Sequence, residues 1–422
     1  MSQKTRAGVS LDRLGRIDDV MQRYVEETHI PGIVTIVYRK GELLHNKSFG
    51  LLGPDKNKPM QTDAIFRIYS MTKPIVCTAL LMLFEQGKLQ LFDPVSHFIP
   101  GFRKLKVYAG GIASKRRQTS WEGVNRALEL IDPVREVTVY DLLTHTSGIT
   151  YDWIEHGPVE DMYREHLVRT DKPLAEFVDD LLEMPLAFQP GSEFRYSFSH
   201  DVVGRLIEVI SGQPLDRFLR ENIFEPLKMV DTGYNVPKDK LDRVAAMYGA
   251  RDPDDPNLKP TWKLAEEGKF GWISNPSGYF ENREHKIFRG GQGLLSTAGD
   301  YLRFCLMLLN QGELDGERIL GRKTVELMTT NHLPDSMLPF DINGKSFWEY
   351  GYGLGVRVLV DPRQSQIPGS IGEFGWSGAA LTYFWIDPVE EFIGIDMAQF
   401  MPDIFYKLNE DFRVLAYQAI VD

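Results

Sequence analysis

Residues 68–74 read Ile-Tyr-Ser-Met-Thr-Lys-Pro and lead into an apolar segment that ends near residue 87. Ser70 and Lys73 are three positions apart. Because this spacing is close to one helical turn, a helix would bring the lysine amine beside the serine hydroxyl. The positive end of the helix dipole would depress the pKa of that ammonium, so that Lys73 can take the serine proton. The stretch predicts a nucleophilic serine with a lysine as its activating base.

Short β patterns lie toward both ends of the chain, well away from this stretch. Residues 11–25 and 403–421 have apolar residues at helical spacing, and Ser10 can cap the first of these helices. Short strands separated by tight turns indicate an antiparallel sheet, which we expect both ends of the chain to share. The expected strands are residues 33–38, 43–49, 353–360, 380–386 and 392–397.

The length of 422 residues exceeds what one hydrophobic core usually supports, so we expect two lobes in a mixed α/β (α+β) fold. Residues 1–69 and 290–422 would form an α/β sandwich lobe, in which helices flank the antiparallel sheet. Residues 70–289 would form a mainly helical lobe with long loops. Ser70 should then lie in the cleft between the two lobes.

Composition and charge narrow the class of protein. The formal net charge of −11 argues against nucleic acid or an anionic membrane as a partner. The same charge favours a monomer or small homo-oligomer. Since no apolar leader or segment of membrane-spanning length is visible, we expect the protein to stay in the cytoplasm. The two cysteines, Cys77 and Cys305, are expected to be buried thiols without a redox role. No histidine pair has the spacing of a zinc site, so we expect no metal and no cofactor.

Several further motifs follow Ser70-Met71-Thr72-Lys73 along the chain. They are Asp-Leu-Leu-Thr-His-Thr-Ser-Gly at 141–148, residues 191–212 with Tyr196-Ser197, Gly-Gly-Gln-Gly-Leu-Leu-Ser-Thr-Ala at 290–298, and Trp-Ser-Gly at 376–378. In this order they resemble the serine β-lactamase-like superfamily. The resemblance is closest to family VIII carboxylesterases and class C β-lactamases, which are related to penicillin-binding proteins. It implies the β-lactamase/transpeptidase-like fold.

The resemblance also implies roles for individual residues. Tyr196 matches the tyrosine of the family's Tyr-x-Asn motif, which helps to move the proton to the leaving group as a phenolate or as a hydrogen-bond relay. Trp376-Ser377-Gly378 matches a strand motif that reads Lys-Thr-Gly in β-lactamases and often Trp-x-Gly in the esterases. The backbone N–H groups of Ser70 and Ala379 would then form the oxyanion hole.

Two departures from the β-lactamase pattern bear on the substrate. Phe198 stands where the motif has Asn, and Trp376 stands where β-lactamases have Lys. Because both changes replace a polar anchor with an aromatic ring, they favour a small, uncharged carboxylic ester over a β-lactam. The candidate pocket residues are Trp376, Ser377, Gly378, Phe198, Tyr151, Trp153, Trp272 and Tyr279.

Other functions stay open at this point. A class C-type β-lactamase, an acyltransferase and an amide hydrolase of the same superfamily all fit the motifs. A Ser70-His200-Asp triad is disfavoured because no serine lies in a Gly-x-Ser-x-Gly elbow. His145 is expected to fix a loop rather than to act as a catalyst. A non-catalytic scaffold is disfavoured because Ser70, Lys73 and Tyr196 are all present.

Overall fold

The structure, a computed structural model, describes residues 4–28, 30–53, 57–110, 128–154, 157–166, 172–249, 263–264 and 288–422. Its main feature is an eight-stranded sheet in the order β4-β5-β6-β7-β8-β1-β2-β3, with every neighbouring pair antiparallel. The strands are β1 (Gly32–Arg39), β2 (Glu42–Gly53), β3 (Lys58–Pro59), β4 (Tyr350–Tyr352), β5 (Arg357–Leu359), β6 (Phe374–Gly378), β7 (Thr382–Asp387) and β8 (Phe392–Met397).

Helices lie on both faces of this sheet and fill the middle of the chain. They are α1 (Leu11–Leu14), α2 (Arg16–Glu27), α3 (Thr72–Glu85), α4 (Val139–Leu143), α5 (Pro158–His166), α6 (Leu174–Leu182), α7 (Ser199–Ser211), α8 (Leu215–Leu219), α9 (Ala298–Leu309), α10 (Arg322–Met328), α11 (Pro362–Ser365) and α12 (Leu408–Tyr417). Single 3₁₀ turns span Tyr69–Met71, Val95–His97, Pro100–Lys104, Lys238–Arg243, Asp335–Met337 and Asp403–Phe405, and a π turn spans Arg220–Phe224. Among the described residues, no helix is both long and apolar enough to cross a membrane.

The remaining strands are short and lie outside the main sheet. They form the pairs Thr5–Arg6 with Val9–Ser10, Phe66–Arg67 with Leu295–Ser296, Val107–Tyr108 with Leu130–Ile131, Glu313–Leu314 with Glu317–Arg318, and Phe340–Ile342 with Lys345–Phe347. Tyr248–Gly249 lies between Lys263–Leu264 and Phe400–Met401 in a three-stranded sheet.

The two ends of the chain share the main sheet, as the sequence predicts. Strand β8 pairs with β1, and Met397 lies opposite Val34 while Phe392 lies opposite Arg39. The predicted hairpin of residues 33–49 is confirmed as β1 and β2. Ser10 caps the first helix, and its side chain accepts a hydrogen bond from the Arg13 backbone N–H.

Alternation along the strands places apolar side chains on both faces of the sheet. In β8, Ile393 and Ile395 join the larger core cluster, in which α9 contacts the sheet. Phe392 belongs to a second cluster on the opposite face, where Met21 of α2 and Phe412 of α12 cover it. The sheet is therefore the middle layer between terminal helices and the helices of the large core.

Two expected elements are shorter than the sequence indicates. The expected strand 353–360 is wrong in its first half, because residues 353–356 form a turn between β4 and β5. Gly355 has a φ of +90°, and a Cβ there would lie 2.5 Å from Cys77 Sγ, so the turn packs directly on α3. The expected helix 403–421 is regular only from Leu408 to Tyr417. The division into lobes at residues 69 and 290 stays a prediction.

Helix α3 runs through the middle of the large core and contacts α7. Residues 72–81 are buried without exception, which is the burial of an interior helix rather than of an amphipathic surface helix. Cys77 of α3 and Cys305 of α9 are both buried and free, as predicted. The first turn of α3 therefore presents its side chains inside the protein, and the 3₁₀ turn Tyr69–Met71 just before it contacts β6.

Candidate active site

Ser70 lies in the 3₁₀ turn Tyr69–Met71 that leads into α3. The preceding residue, Tyr69, has a φ of +42°, a left-handed conformation that a bulky side chain rarely adopts. Its ring is held by a small apolar cluster with Met247, Ala380 and Met401. Backbone strain of this kind is retained where the surroundings fix it, and it is common next to reacting groups.

The amine of Lys73 is surrounded by oxygen atoms. It donates hydrogen bonds to Ser70 Oγ at 3.1 Å, to Tyr151 Oη at 3.3 Å and to the Gly291 carbonyl at 2.7 Å. The side chain is fully buried, and desolvation lowers its pKa to about 7, while the charge of Asp201 opposes this shift. Burial, and not the helix dipole expected from the sequence, is therefore the largest cause of the lowered pKa of Lys73.

Tyr196 contacts the same serine. Its hydroxyl hydrogen-bonds with the Ser70 side chain and accepts a hydrogen bond from Trp376 Nε1 at 3.3 Å. The Lys73 amine lies 4.4 Å from the centre of the Tyr196 ring. Burial raises the pKa of Tyr196, so the neutral phenol is the stable form near neutral pH. The hydrogen-bond relay, one of the two expected roles, starts from this neutral form.

The strand β6 forms the wall opposite α3. On one side of β6, strand β5 pairs with Phe374 and Gly375. The next three residues, Trp376 to Gly378, pair with β7 on the other side, and no described strand pairs with them on the β5 side. The turn that carries Ser70 contacts β6. A Cβ at Gly378 would lie 2.4 Å from the Ile68 carbonyl oxygen, so glycine is what lets the two segments approach. This approach brings Ala379, the expected oxyanion donor, next to the segment that carries Ser70.

The expected pocket residues occupy different positions. Tyr151 reaches Lys73, and the ring of Trp153, which is 39% exposed, lies 5.3 Å from the Tyr151 ring. Phe198 is buried behind Tyr151, at 4.4 Å between ring centres, where it packs against Phe177. Ser377 is half-buried and alternates with Trp376 along the strand. Trp272 and Tyr279 lie outside the described residues.

Gly291, whose carbonyl accepts from Lys73, was not among the predicted site residues, although it lies in a motif with two adjacent glycines. A Cβ at Gly291 would lie 2.8 Å from Asp201 Oδ2 and 3.2 Å from Tyr151 Oη. At Gly290 it would lie 1.9 Å from the His200 carbonyl oxygen. Gly290 therefore requires glycine because it packs on the backbone of α7, whereas a side chain at Gly291 would push on the Asp201 carboxylate and the Tyr151 hydroxyl next to the Lys73 amine.

The rival triad is not assembled. His200 is fully buried, and neither of its ring nitrogens has a hydrogen-bond partner among the described residues. Its ring lies 4.3 Å from that of His145, and burial holds the pKa of both well below the usual range. Within the described ranges, no group of three or more His, Cys, Asp or Glu side chains is arranged to hold a metal ion.

Comparison with known proteins agrees with this arrangement of motifs. The sequence model of the Beta-lactamase family matches residues 17–418. Protein Rv1367c of Mycobacterium tuberculosis is 33% identical over 384 residues, which are 89% of this chain and 87% of the relative. Esterase EstB of Burkholderia gladioli is 29% identical over 378 residues, which are 88% of this chain and 86% of that protein.

A solved structure has a similar fold. It is described as EstCE1, a hydrolase with promiscuous acyltransferase activity, and it superposes with a TM-score of 0.77. The two sequences are 24% identical, and the match covers 96% of this chain and 99% of the other. At this identity the likeness concerns the fold alone.

Proposed function

This chain belongs to the beta-lactamase family, and we propose that it is a serine carboxylesterase that cleaves small, uncharged esters through an acyl-enzyme on Ser70. The observation that carries the proposal is the buried Lys73 amine, 3.1 Å from Ser70 Oγ and with a pKa of about 7. A serine hydroxyl is a weak nucleophile unless a nearby base takes its proton. A half-buried serine in contact with such a base can act as the nucleophile in acyl transfer.

Acylation starts when Ser70 Oγ attacks the ester carbonyl and its proton moves to Lys73 Nζ. The Oγ–C bond forms, and the carbonyl oxygen becomes an oxyanion that the N–H groups of Ser70 and Ala379 would stabilise. Each such donor contributes roughly 3–4 kcal/mol to lowering the barrier. The new ammonium keeps the Gly291 carbonyl and the Tyr151 hydroxyl as acceptors, so the transferred charge is not left unpaired.

The leaving alcohol departs when the bond between the carbonyl carbon and its oxygen breaks. The departing alkoxide needs a proton, which the neutral Tyr196 phenol can donate, and the proton that Lys73 took from Ser70 then restores the phenol, since the Lys73 amine lies beside the Tyr196 ring. Water then attacks the acyl-enzyme by the same route in reverse. The products are a carboxylic acid and an alcohol, and the enzyme returns to its starting protonation state.

The ester is favoured over the β-lactam by the residues next to Ser70. Trp376 packs against the ring of Tyr196, at 5.5 Å between ring centres, where β-lactamases have a lysine. Phe198 lies in the apolar core instead of offering an amide. The carboxylate and side-chain amide of a β-lactam would therefore lose two polar partners, whereas an uncharged ester needs neither.

Labelling with a fluorophosphonate, which reacts with activated serines, tests this function. We expect stoichiometric labelling of the protein and of a Thr144→Val control, no labelling of Ser70→Ala, and hydrolysis of short-chain p-nitrophenyl esters that disappears with the same substitution. Labelling of Ser70 without ester turnover would point instead to an amide hydrolase or an acyltransferase that requires its own acceptor. Absence of labelling would contradict the activated serine and favour the scaffold alternative.

A further inference from the structure

His145 contacts three consecutive residues around Tyr196. Its carbonyl oxygen accepts a hydrogen bond from the Arg195 backbone N–H at 2.8 Å. Its ring lies 4.8 Å from the Tyr196 ring, between ring centres, and its Nδ1 is 3.0 Å from Ser197 Oγ. His145 thus holds Tyr196 and both of its neighbours in the sequence, through its ring and its own backbone.

The backbone of His145 is in an unfavourable conformation. Its φ is +58°, in the left-handed region that few residues other than glycine adopt, at a cost on the order of 1 kcal/mol. Two hydrogen bonds of the motif 141–148 hold this turn, from Thr146 N to the Asp141 carbonyl and from His145 N to the Leu142 carbonyl. The conformation turns the His145 carbonyl toward Arg195 while the ring points at Tyr196. Because hydrogen bonds from the turn and from Arg195 hold this unfavourable φ in place, we take the conformation of His145 to be required by the site.

A chain of buried hydroxyl groups continues from the imidazole. Ser197 Oγ is 2.7 Å from Ser199 Oγ, which is 2.8 Å from Ser147 Oγ, and Ser147 Oγ accepts from the Ile149 backbone N–H at 3.1 Å. His145, Ser147, Ser197 and Ser199 are all fully buried. Because the chain starts and ends in the segment 145–149, it closes a ring between this segment and the start of α7. A shift of either segment would leave a buried polar group unpaired, which costs about 1–3 kcal/mol.

We infer that His145 is a positioning residue, which acts through Tyr196 by fixing the place of its hydroxyl relative to Ser70. The inference rests on the proposed ester cleavage, since it concerns the step in which Tyr196 gives its proton to the leaving alcohol. In the part of the chain that the structure describes, the His145 ring hydrogen-bonds to Ser197 and not to Ser70 or the Lys73 amine. Its action is to hold the backbone and ring of the tyrosine.

This role makes the choice of leaving group a sensitive readout. An alkoxide is a strong base and departs only when it is protonated, whereas p-nitrophenolate is a weak base that departs without a proton. A displaced Tyr196 should therefore slow the cleavage of an alkyl ester far more than that of a p-nitrophenyl ester with the same acyl group. A substitution that only weakened the fold would slow both esters alike.

The experiment compares kcat and KM for p-nitrophenyl butyrate and ethyl butyrate across a set of variants. Tyr196→Phe defines the signature of a lost proton donor. In His145→Ala we expect kcat/KM, which reports the acylation step in which the leaving group departs, to fall by at least about 30-fold for the ethyl ester and by less than about 5-fold for the p-nitrophenyl ester. His145→Asn should recover most of this loss, because asparagine tolerates a positive φ and offers an amide near the place of Nδ1. Thr144→Val, which removes a buried hydroxyl from the neighbouring residue, should leave the ratio of the two rates unchanged.

Ser197→Ala provides a second test that leaves the His145 backbone in place, and it carries the test if His145→Ala does not fold. We expect the same shift in the ratio of the two rates, at a smaller size. An unchanged ratio in folded His145→Ala, or in Ser197→Ala when the former does not fold, would overturn the inference while the wild type still cleaves both esters. A wild type that cleaves neither ester, and that is not labelled at Ser70, would instead overturn the proposed function.

Discussion

Trp376 Nε1 donates a hydrogen bond to Tyr196 Oη at 3.3 Å, so the residue that replaces the β-lactamase lysine is bound to the tyrosine beside the nucleophile. The indole N–H occupies a lone pair of the phenol oxygen, and the phenol keeps its own proton for Ser70 or for a leaving group. Trp376 is thus more than an apolar wall, because it also orients the hydroxyl that would move the proton.

Replacing this indole should slow the reaction without removing it. In Trp376→Phe we expect kcat for alkyl esters to fall about 10-fold, which corresponds to the ~1.4 kcal/mol of one lost hydrogen bond. Steady-state kinetics on ethyl butyrate measures the effect, with Trp348→Phe as the control because Trp348 is exposed. A normal kcat in Trp376→Phe would show that the hydrogen bond has no part in catalysis.

The two groups that handle the proton should each be needed. We expect Lys73→Ala and Tyr196→Phe to lower kcat for ethyl butyrate by at least about 100-fold, the scale of losing a positioned proton donor or acceptor. Near-normal turnover in either variant would remove that residue from the mechanism. The comparison is valid only for variants whose melting temperature stays above the assay temperature.

The pH dependence of the reaction should report the protonation of Lys73. Its pKa is about 7, and only the neutral amine can take the proton of Ser70. We therefore expect kcat/KM to rise with pH through about 7 and to fall tenfold per pH unit well below it. A pH profile between pH 5 and 9 in buffers of constant ionic strength measures this limb. An acid limb centred near pH 4.5 would assign the base to a carboxylate instead.

The same lysine should destabilise the fold. An unfolded lysine holds its proton up to about pH 10.5, whereas the folded Lys73 loses it at about 7. Between these values unfolding takes up a proton, so stability rises with pH, and below about 7 the full cost of a few kcal/mol applies. Lys73→Met should therefore raise the melting temperature at pH 6, raise it less at pH 9, and abolish ester cleavage. Lys88→Met, at an exposed lysine, should show no such pH-dependent gain. Equal gains at pH 6 and 9 would contradict this account.

The choice of substrate class can be checked in one plate assay. We expect efficient cleavage of short-chain p-nitrophenyl esters and nitrocefin turnover at least about 1,000-fold lower in kcat/KM, or about 4 kcal/mol of discrimination. Unpaired polar atoms of the β-lactam would account for most of this gap. Comparable values for the two substrates would assign the chain to the β-lactamase side of its family.

Local patterns in the sequence predict much of this fold. Strand β1 follows from a β-branched run, β2 and β8 follow from the tight turns before them, and Ser10 marks the first helix correctly. The expected strand 353–360 is wrong because the turn at Gly355 depends on its contact with Cys77, far away along the chain. A pattern of neighbouring residues contains no information on such a contact.

The candidate site, too, can be predicted from the sequence only where its residues are close along the chain. Ser70 and Lys73 are one helical turn apart, so their contact can be predicted from spacing alone. The Gly291 carbonyl reaches the same amine across 218 positions of the sequence, and no local rule indicates it. The cause of the lowered Lys73 pKa was also missed, because burial depends on what the rest of the chain packs around the helix.

The pairing of β8 with β1 has a consequence for how the protein folds while it is synthesised on the ribosome. The hairpin of β1 and β2 is synthesised first, but its neighbour β8 emerges only after the intervening residues 54–391 have been translated. Until then the β1 edge, with Val34 and Ile36, has no partner strand and can pair with other nascent chains. The sheet therefore cannot be completed from its N-terminal strands alone, and its completion must wait until β8 has emerged from the ribosome. Chaperone protection of the early hairpin would be most valuable in that interval.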